Sequence, residues 1–183
     1  MYAKRNIFVP KYSGKSRFIG TLYDENLLNN RLIYVDAVTE IAKDIFIVPE
    51  TNTYHAVDTN FKGLYQKIDN EFVSDEFDDE LFLTIKQNDQ INIVTACSHR
   101  GITNVCTTAA DYFKLPVGQI LGGFHMKNCT TEQYVHITNY FRQLQPQSIG
   151  VCHCTGIDKY AEMHNECEAP VFYNYTGHEM KFF

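Results

Sequence analysis

Three separate stretches of the chain carry a histidine among small, polar or thiol residues: Cys97-Ser98-His99-Arg100-Gly101, Gly122-Gly123-Phe124-His125 and Cys152-His153-Cys154-Thr155-Gly156. Each follows an apolar, strand-like run, at residues 91–94, 117–121 and 148–152. A histidine at a strand end lies beside free backbone N–H groups, where a metal, an anion or both can be held. Neutral imidazole is a strong ligand for zinc and other first-row metals, and a catalytic zinc usually takes three protein ligands plus water. Water bound in that way loses its proton at a pH of about 7, which supplies a hydrolytic nucleophile. His99, His125 and His153 are therefore the candidate site.

Simpler roles compete for the same residues. A single histidine at a strand end is often only a hydrogen-bonded structural residue. If the third strand runs on through Cys152-His153-Cys154, His153 faces one side of the sheet and both thiols the other. A structural Cys/His zinc knot would use those thiols, but the usual C-x2-C pair is missing. A nucleophilic Cys97 near His99 lacks an orienting partner. Ser98 reads as bonding locally at its corner, and His55, His136, His164 and His178 as packed or exposed residues. The acidic run Asp75-Glu76-Phe77-Asp78-Asp79-Glu80 has no EF-hand spacing and reads as a solvated turn.

The elements that must position the histidines are legible from periodicity. Ile102, Val105, Cys106, Ala109, Ala110 and Phe113 mark one apolar helix face, stopped by Lys114-Leu115-Pro116. Thr130 with Gln133 predicts a capping box for a second helix with Tyr134, Ile137, Phe141 and Leu144 on its face. Thr155 with Asp158 predicts a third cap, before a face of Ile157, Tyr160, Ala161 and His164. Residues 170–173 and 178–183 read as a closing hairpin around Thr176-Gly177. The second half is thus strand–helix alternation, an α/β pattern with right-handed crossovers. In the first half, residues 6–9, 17–22, 31–35, 44–48 and 81–85 read as strands, and residues 49–69 as a long surface loop that is either a lid or irregular packing.

The chain has 183 residues, read as a single domain with an incomplete core. Its net charge of −6 argues against a general nucleic-acid surface; Lys4, Arg5, Lys11, Lys15 and Arg17 are too thinly spread to reverse that. No run is long or apolar enough to span a bilayer, and the start lacks the pattern of a secretory signal. Six cysteines without framework spacing suit a reducing cytoplasm and site chemistry better than disulfides.

The residues from Cys97 to Asn104, then Gly122-Gly123-Phe124-His125, then His153-Cys154-Thr155-Gly156 resemble three ordered motifs of the metallo-β-lactamase-fold hydrolases. The branch is the one related to dihydropterin ribofuranosyl-aminobenzene phosphate synthase. Asp78-Asp79-Glu80-Leu81 resembles the acidic run of that branch, and residues 176–182 its closing glycine-containing hairpin. The resemblance implies an αββα sandwich and hydrolysis, or a related transfer, by metal-activated water. It implies His99 and His153 as ligands of zinc or another divalent first-row metal, with one or two ions in a complete site. His125 would serve catalysis through metal binding, substrate contact or proton transfer. A small, anionic substrate is expected.

The H-x-H-x-D-H signature of such enzymes is absent; His55 is the sole histidine before His99. The expectation is a carboxyl-terminal part of the fold that self-associates or meets a partner supplying the rest. A degenerate, non-catalytic metal- or anion-binding relative and a scaffold or interaction module are the alternatives.

Overall fold

A computed structural model describes residues 1–28 and 30–180. In chain order the strands are β1 (Tyr2–Ala3), β2 (Lys11–Ser13), β3 (Arg17–Phe18), β4 (Ile33–Tyr34), β5 (Thr39–Ala42), β6 (Ile45–Val48), β7 (Leu64–Ile68) and β8 (Glu71–Ser74). They continue as β9 (Phe82–Gln87), β10 (Gln90–Cys97), β11 (Val117–Gly123), β12 (Ser148–Val151) and β13 (Val171–Tyr173). The helices are α1 (Glu25–Leu28), α2 (Ile102–Phe113), α3 (Thr131–Leu144) and α4 (Ile157–Glu166).

Seven strands form the main sheet in the order β13-β12-β11-β10-β9-β6-β5, and four form a second sheet in the order β3-β2-β7-β8. From β10 to β13 the pairing is parallel, while β9, β6 and β5 run as antiparallel neighbours. The parallel crossovers step in one direction, so right-handed connections put α2, α3 and α4 on one face. Every residue of β11 is buried, as a parallel strand covered on both faces should be. Ile91, Ile93, Ile102, Cys106, Ile120, Ile137 and Ile149 form the centre of the core, where the apolar stripes of α2 and α3 meet the sheet.

Several sequence expectations need correction. Residues 6–9 are not a strand: Arg5–Phe8 is a 3-10 turn closed by Val9 N–H on Asn6 O, just before Pro10, which has no N–H for a ladder. The segment 49–69 is a surface loop only in part. Residues 49–63 are irregular apart from a 3-10 turn at Ala56–Asp58 but bury Thr51 and Asp58, and Leu64–Ile68 is β7. Thr130 caps α3 by accepting from Gln133 N–H, but the Gln133 side chain turns away to Asp58 and Asn60 instead of closing the box. Gly156, not Thr155, caps α4; the Thr155 hydroxyl accepts from Phe124 N–H, and Met163 is the residue that α4 buries. A turn forms at Thr176-Gly177, but residues 178–180 are not a strand; the rest of the expected hairpin, 181–183, lies outside the described residues.

Candidate metal centre

Three strand ends converge because β10, β11 and β12 lie side by side and stop at the same rim. Cys97, the last residue of β10, pairs with Gly123 at the end of β11. Ser98 then locks the corner: both its N–H (2.9 Å) and its hydroxyl (3.0 Å) donate to Gly123 O. Ser98 thus bonds across to the next strand.

His99 is held from three sides. The Glu80 carboxylate accepts from His99 N–H (2.8 Å), from Arg100 N–H (3.1 Å) and from His99 Nδ1 (2.5 Å). A carboxylate only accepts, so Nδ1 carries the proton and Nε2 is left free to ligate. Phe77 stacks flat on the imidazole, with ring centroids 3.8 Å apart. The acidic run is accordingly no solvated turn. Asp75 is 1% exposed and, with Asp79, grips the Lys11 ammonium; Asp78 and Glu76 O take Arg100.

The start of α2 is secured by residues that sequence reading passed over. Thr103 N–H and hydroxyl both donate to Asp58 (2.8 Å each), while Asn104 clamps the backbone of Tyr54 and His55. Burial pushes Asp58 up to about 6, against the lowering effect of the Thr103 and Gln133 hydrogen bonds. Gly101 has φ of +97°, and a Cβ there would sit 2.8 Å from Asp58. Only the Asn104 and Asp58 residue types, both common partners of free backbone groups, hinted at this.

His125 follows the Gly-Gly pair in a left-handed conformation (φ +50°) and its ring centroid lies 4.4 Å from that of His99. A Cβ on Gly123 would fall 2.5 Å from Cys154 Sγ and 2.6 Å from His153 Cε1, so the glycine is what lets those side chains close in. His153 Nε2 is 2.7 Å from Cys97 Sγ, and its Nδ1 is 3.2 Å from Cys152 Sγ. Strand β12 ends at Val151 and a 3-10 turn follows (His153–Thr155), so strand alternation does not apply and Cys154 shares the cluster with His153. The three histidines named from sequence thus share one cluster, with His153 joined to the other two through Cys97.

The donor set fits a first-row metal. Cys97, His99 and His125 offer ligand atoms all within 4.8 Å of one another, as do Cys97, His153 and Cys154. His125 Nδ1 is buried without a hydrogen-bond partner, an arrangement that a ligand would relieve. A hydrogen bond to Cys154, together with burial, pushes the Cys97 thiol up to about 12, and the same bond lowers Cys154 against the raising effect of its own burial. Cys97 Sγ meets the His153 imidazole at 2.7 Å, and His99 and His125 also offer a ring nitrogen within 4.8 Å of it. His55 packs on His136 and Tyr140, His164 bonds Val171 O and His178 stacks on Tyr175, all outside the cluster. Beside His125 and Cys154 opens a cleft of about 720 Å³, walled by Ser13 and Leu64 of the second sheet and carrying Lys62 and Lys127.

The architecture matches the crystal structure of a metal-dependent hydrolase of the β-lactamase superfamily with a TM-score of 0.88, over 99% of this chain and 70% of that one, at 24% identity. The chain has the metallo-β-lactamase fold. No protein-family model matches it. An uncharacterised protein of Methanocaldococcus jannaschii is 31% identical over 175 residues, covering 89% of this chain and 62% of that protein. From the same organism, 7,8-dihydropterin-6-methyl-4-(beta-D-ribofuranosyl)-aminobenzene-5'-phosphate synthase is 26% identical over 167 residues, covering 85% of this chain and 57% of that protein. The chain therefore spans about 60% of the length of these relatives. No helix among the described residues is long and apolar enough to cross a membrane.

Proposed function

We propose that this chain carries a metal centre for hydrolysis of a small anionic substrate by metal-activated water. The observation that carries the reading is the meeting of His99, His125 and His153 with two thiols at one rim, against a cleft that bears Lys62 and Lys127. His99 and His153 are the proposed metal ligands, and zinc or another divalent first-row ion suits their chemistry. When bound, such an ion supplies a nucleophilic water near neutral pH. The chain's own contribution is to fix the ligands through Glu80 and Gly123, to place His125 at the mouth of the cleft for substrate contact or proton transfer, and to attract the anionic group with the two lysines.

The H-x-H-x-D-H ligands are absent from these 183 residues. We therefore assign the remaining ligands to a partner polypeptide that carries that signature. Leu22 (88% exposed) and Leu27 (77% exposed) offer apolar surface for such an association. The same absence supports a second reading, a relative that binds metal without turnover. A cytoplasmic setting suits both, since the thiols must stay reduced.

Metal analysis of the purified chain, with His99→Ala and His153→Ala beside it, tests the centre; stoichiometric zinc lost in either variant supports it, and no metal in any form rules it out. Hydrolysis of generic phosphodiesters and lactones, by the chain alone and with a supplied H-x-H-x-D-H polypeptide, separates the hydrolase from the non-catalytic relative.

A further inference from the structure

We propose that Cys97 is a shared thiolate ligand between two metal positions, each with three ligands from this chain. One position is formed by Cys97, His99 and His125, the other by Cys97, His153 and Cys154. This rests on the reading of the cluster as a metal centre, and goes beyond it by adding two thiolates and a second ion.

Cys97 is the one member common to both groups, and within each group all ligand atoms lie within 4.8 Å. Ligands of a tetrahedral zinc, bound at about 2.0–2.3 Å, stand roughly 3.5 Å apart, so both triads need only small side-chain adjustments. The present 2.7 Å contact between Cys97 Sγ and His153 Nε2 would open by about an ångström as an ion entered. Gly123 makes the sharing possible. It sits beside Cys97 in the sheet, and its missing Cβ is the space that Cys154 Sγ and the His153 ring occupy. On the other flank, Glu80 fixes His99 and leaves its Nε2 available. The buried Nδ1 of His125 has no protein partner.

The donors also select the metal. Two nitrogens with one sulfur, and one nitrogen with two sulfurs, suit zinc, cobalt or iron and exclude magnesium and calcium, which demand oxygen. Three ligands from this chain at each position leave a fourth place open for water or for a ligand from the partner. On loading, the S–H bonds of Cys97 and Cys154 are replaced by metal–sulfur bonds, and both protons pass to the buffer. No oxidation state changes.

The test is to load the full chain with Co(II) and record the near-ultraviolet thiolate-to-cobalt charge-transfer band, with metal content measured in parallel. The expected result is a strong band and two equivalents in the wild type. Cys97→Ser should lose both ions, whereas Cys154→Ser and His99→Ala should each keep one, with far-ultraviolet circular dichroism confirming the fold of every variant. A wild-type cobalt protein without the band overturns the inference whatever the variants do, and leaves an imidazole-only centre standing. Undiminished metal in Cys97→Ser overturns it as well. The band with two equivalents, in a chain that hydrolyses nothing even with its partner, upholds the thiolate bridge and removes the hydrolase. No bound metal at all overturns both.

Discussion

The Glu80 carboxylate meets His99 twice, through the backbone N–H at 2.8 Å and through Nδ1 at 2.5 Å. One side chain thereby sets the position, the tautomer and the ring orientation of a residue at the end of a different strand. Outer carboxylates of this kind raise the basicity of the ligating nitrogen, and their loss typically weakens metal binding by about 10–100-fold. Glu80→Ala should therefore weaken zinc binding by about that factor, measured by competition with a chromophoric chelator. Glu80→Gln keeps an acceptor and should fall between. Wild-type affinity in the alanine variant would show that His99 needs no such support.

Gly123 makes a separate prediction, because it is defined by what is missing. A Cβ there would lie 2.5 Å from Cys154 Sγ, 2.6 Å from His153 Cε1 and 2.8 Å from Ala96 O, and the last of these is backbone that cannot swing aside. Gly123→Ala should cost about 1–3 kcal/mol of stability through overpacking. It should also reduce bound metal more than Gly63→Ala, where the added methyl meets nothing within 4 Å. Denaturant unfolding and metal content read the two effects separately, and equal metal content in both variants would count against the convergence described here.

How much of this was readable beforehand depended on sequence distance. The faces of α2 and α3 repeat every three to four residues, so their cores were visible in Ile102, Val105, Ile137 and Phe141. The three corners were visible because histidine beside glycine or cysteine after an apolar run is an uncommon local pattern. Glu80 was passed over because its partner is 19 residues away and a run of acids looks solvated when Lys11, 64 residues from Asp75, cannot be placed beside it. Asp58 and Thr103, 45 residues apart, fell to the same limit. Cys154 was assigned to the wrong face for a different reason: alternation holds only while the strand lasts, and β12 stops at Val151.

Asp58 gives a pH dependence whose sign differs from that of a carboxylate in an ion pair. Its ordinary value is near 3.8 and burial raises it to about 6, so between those values the folded chain holds a proton that the unfolded chain has released. Its contribution favours folding fully below about pH 4 and is lost as the pH rises through 6. Two units correspond to about 3 kcal/mol. Asp58→Asn cannot ionise, so its stability relative to wild type should improve by up to that amount between pH 4 and 7. Parallel unfolding curves for the two proteins over this range would exclude the assignment.

Lys11 joins the second sheet to the candidate centre. Its ammonium lies 2.8 Å from Asp75 and 2.5 Å from Asp79, and 4.8 Å from the centroid of Phe77, the ring that stacks on His99. Both Lys11 and Asp75 are buried, so removing the cation strands a carboxylate where water cannot reach it. Breaking a buried pair from one side costs about 3–5 kcal/mol, far more than a surface pair would. Lys11→Ala should lose that much in denaturant unfolding, and it should loosen Phe77 from His99 and so weaken metal binding as well. Lys11→Ala with Asp75→Ala should recover much of the stability, because the stranded charge is gone. It should not recover metal affinity, since Asp75 Oδ1 also accepts from Phe77 N–H and holds that ring in place. If stability and metal affinity return together in the double variant, the lysine acts on the fold alone, and the path from Lys11 through Phe77 to His99 carries nothing.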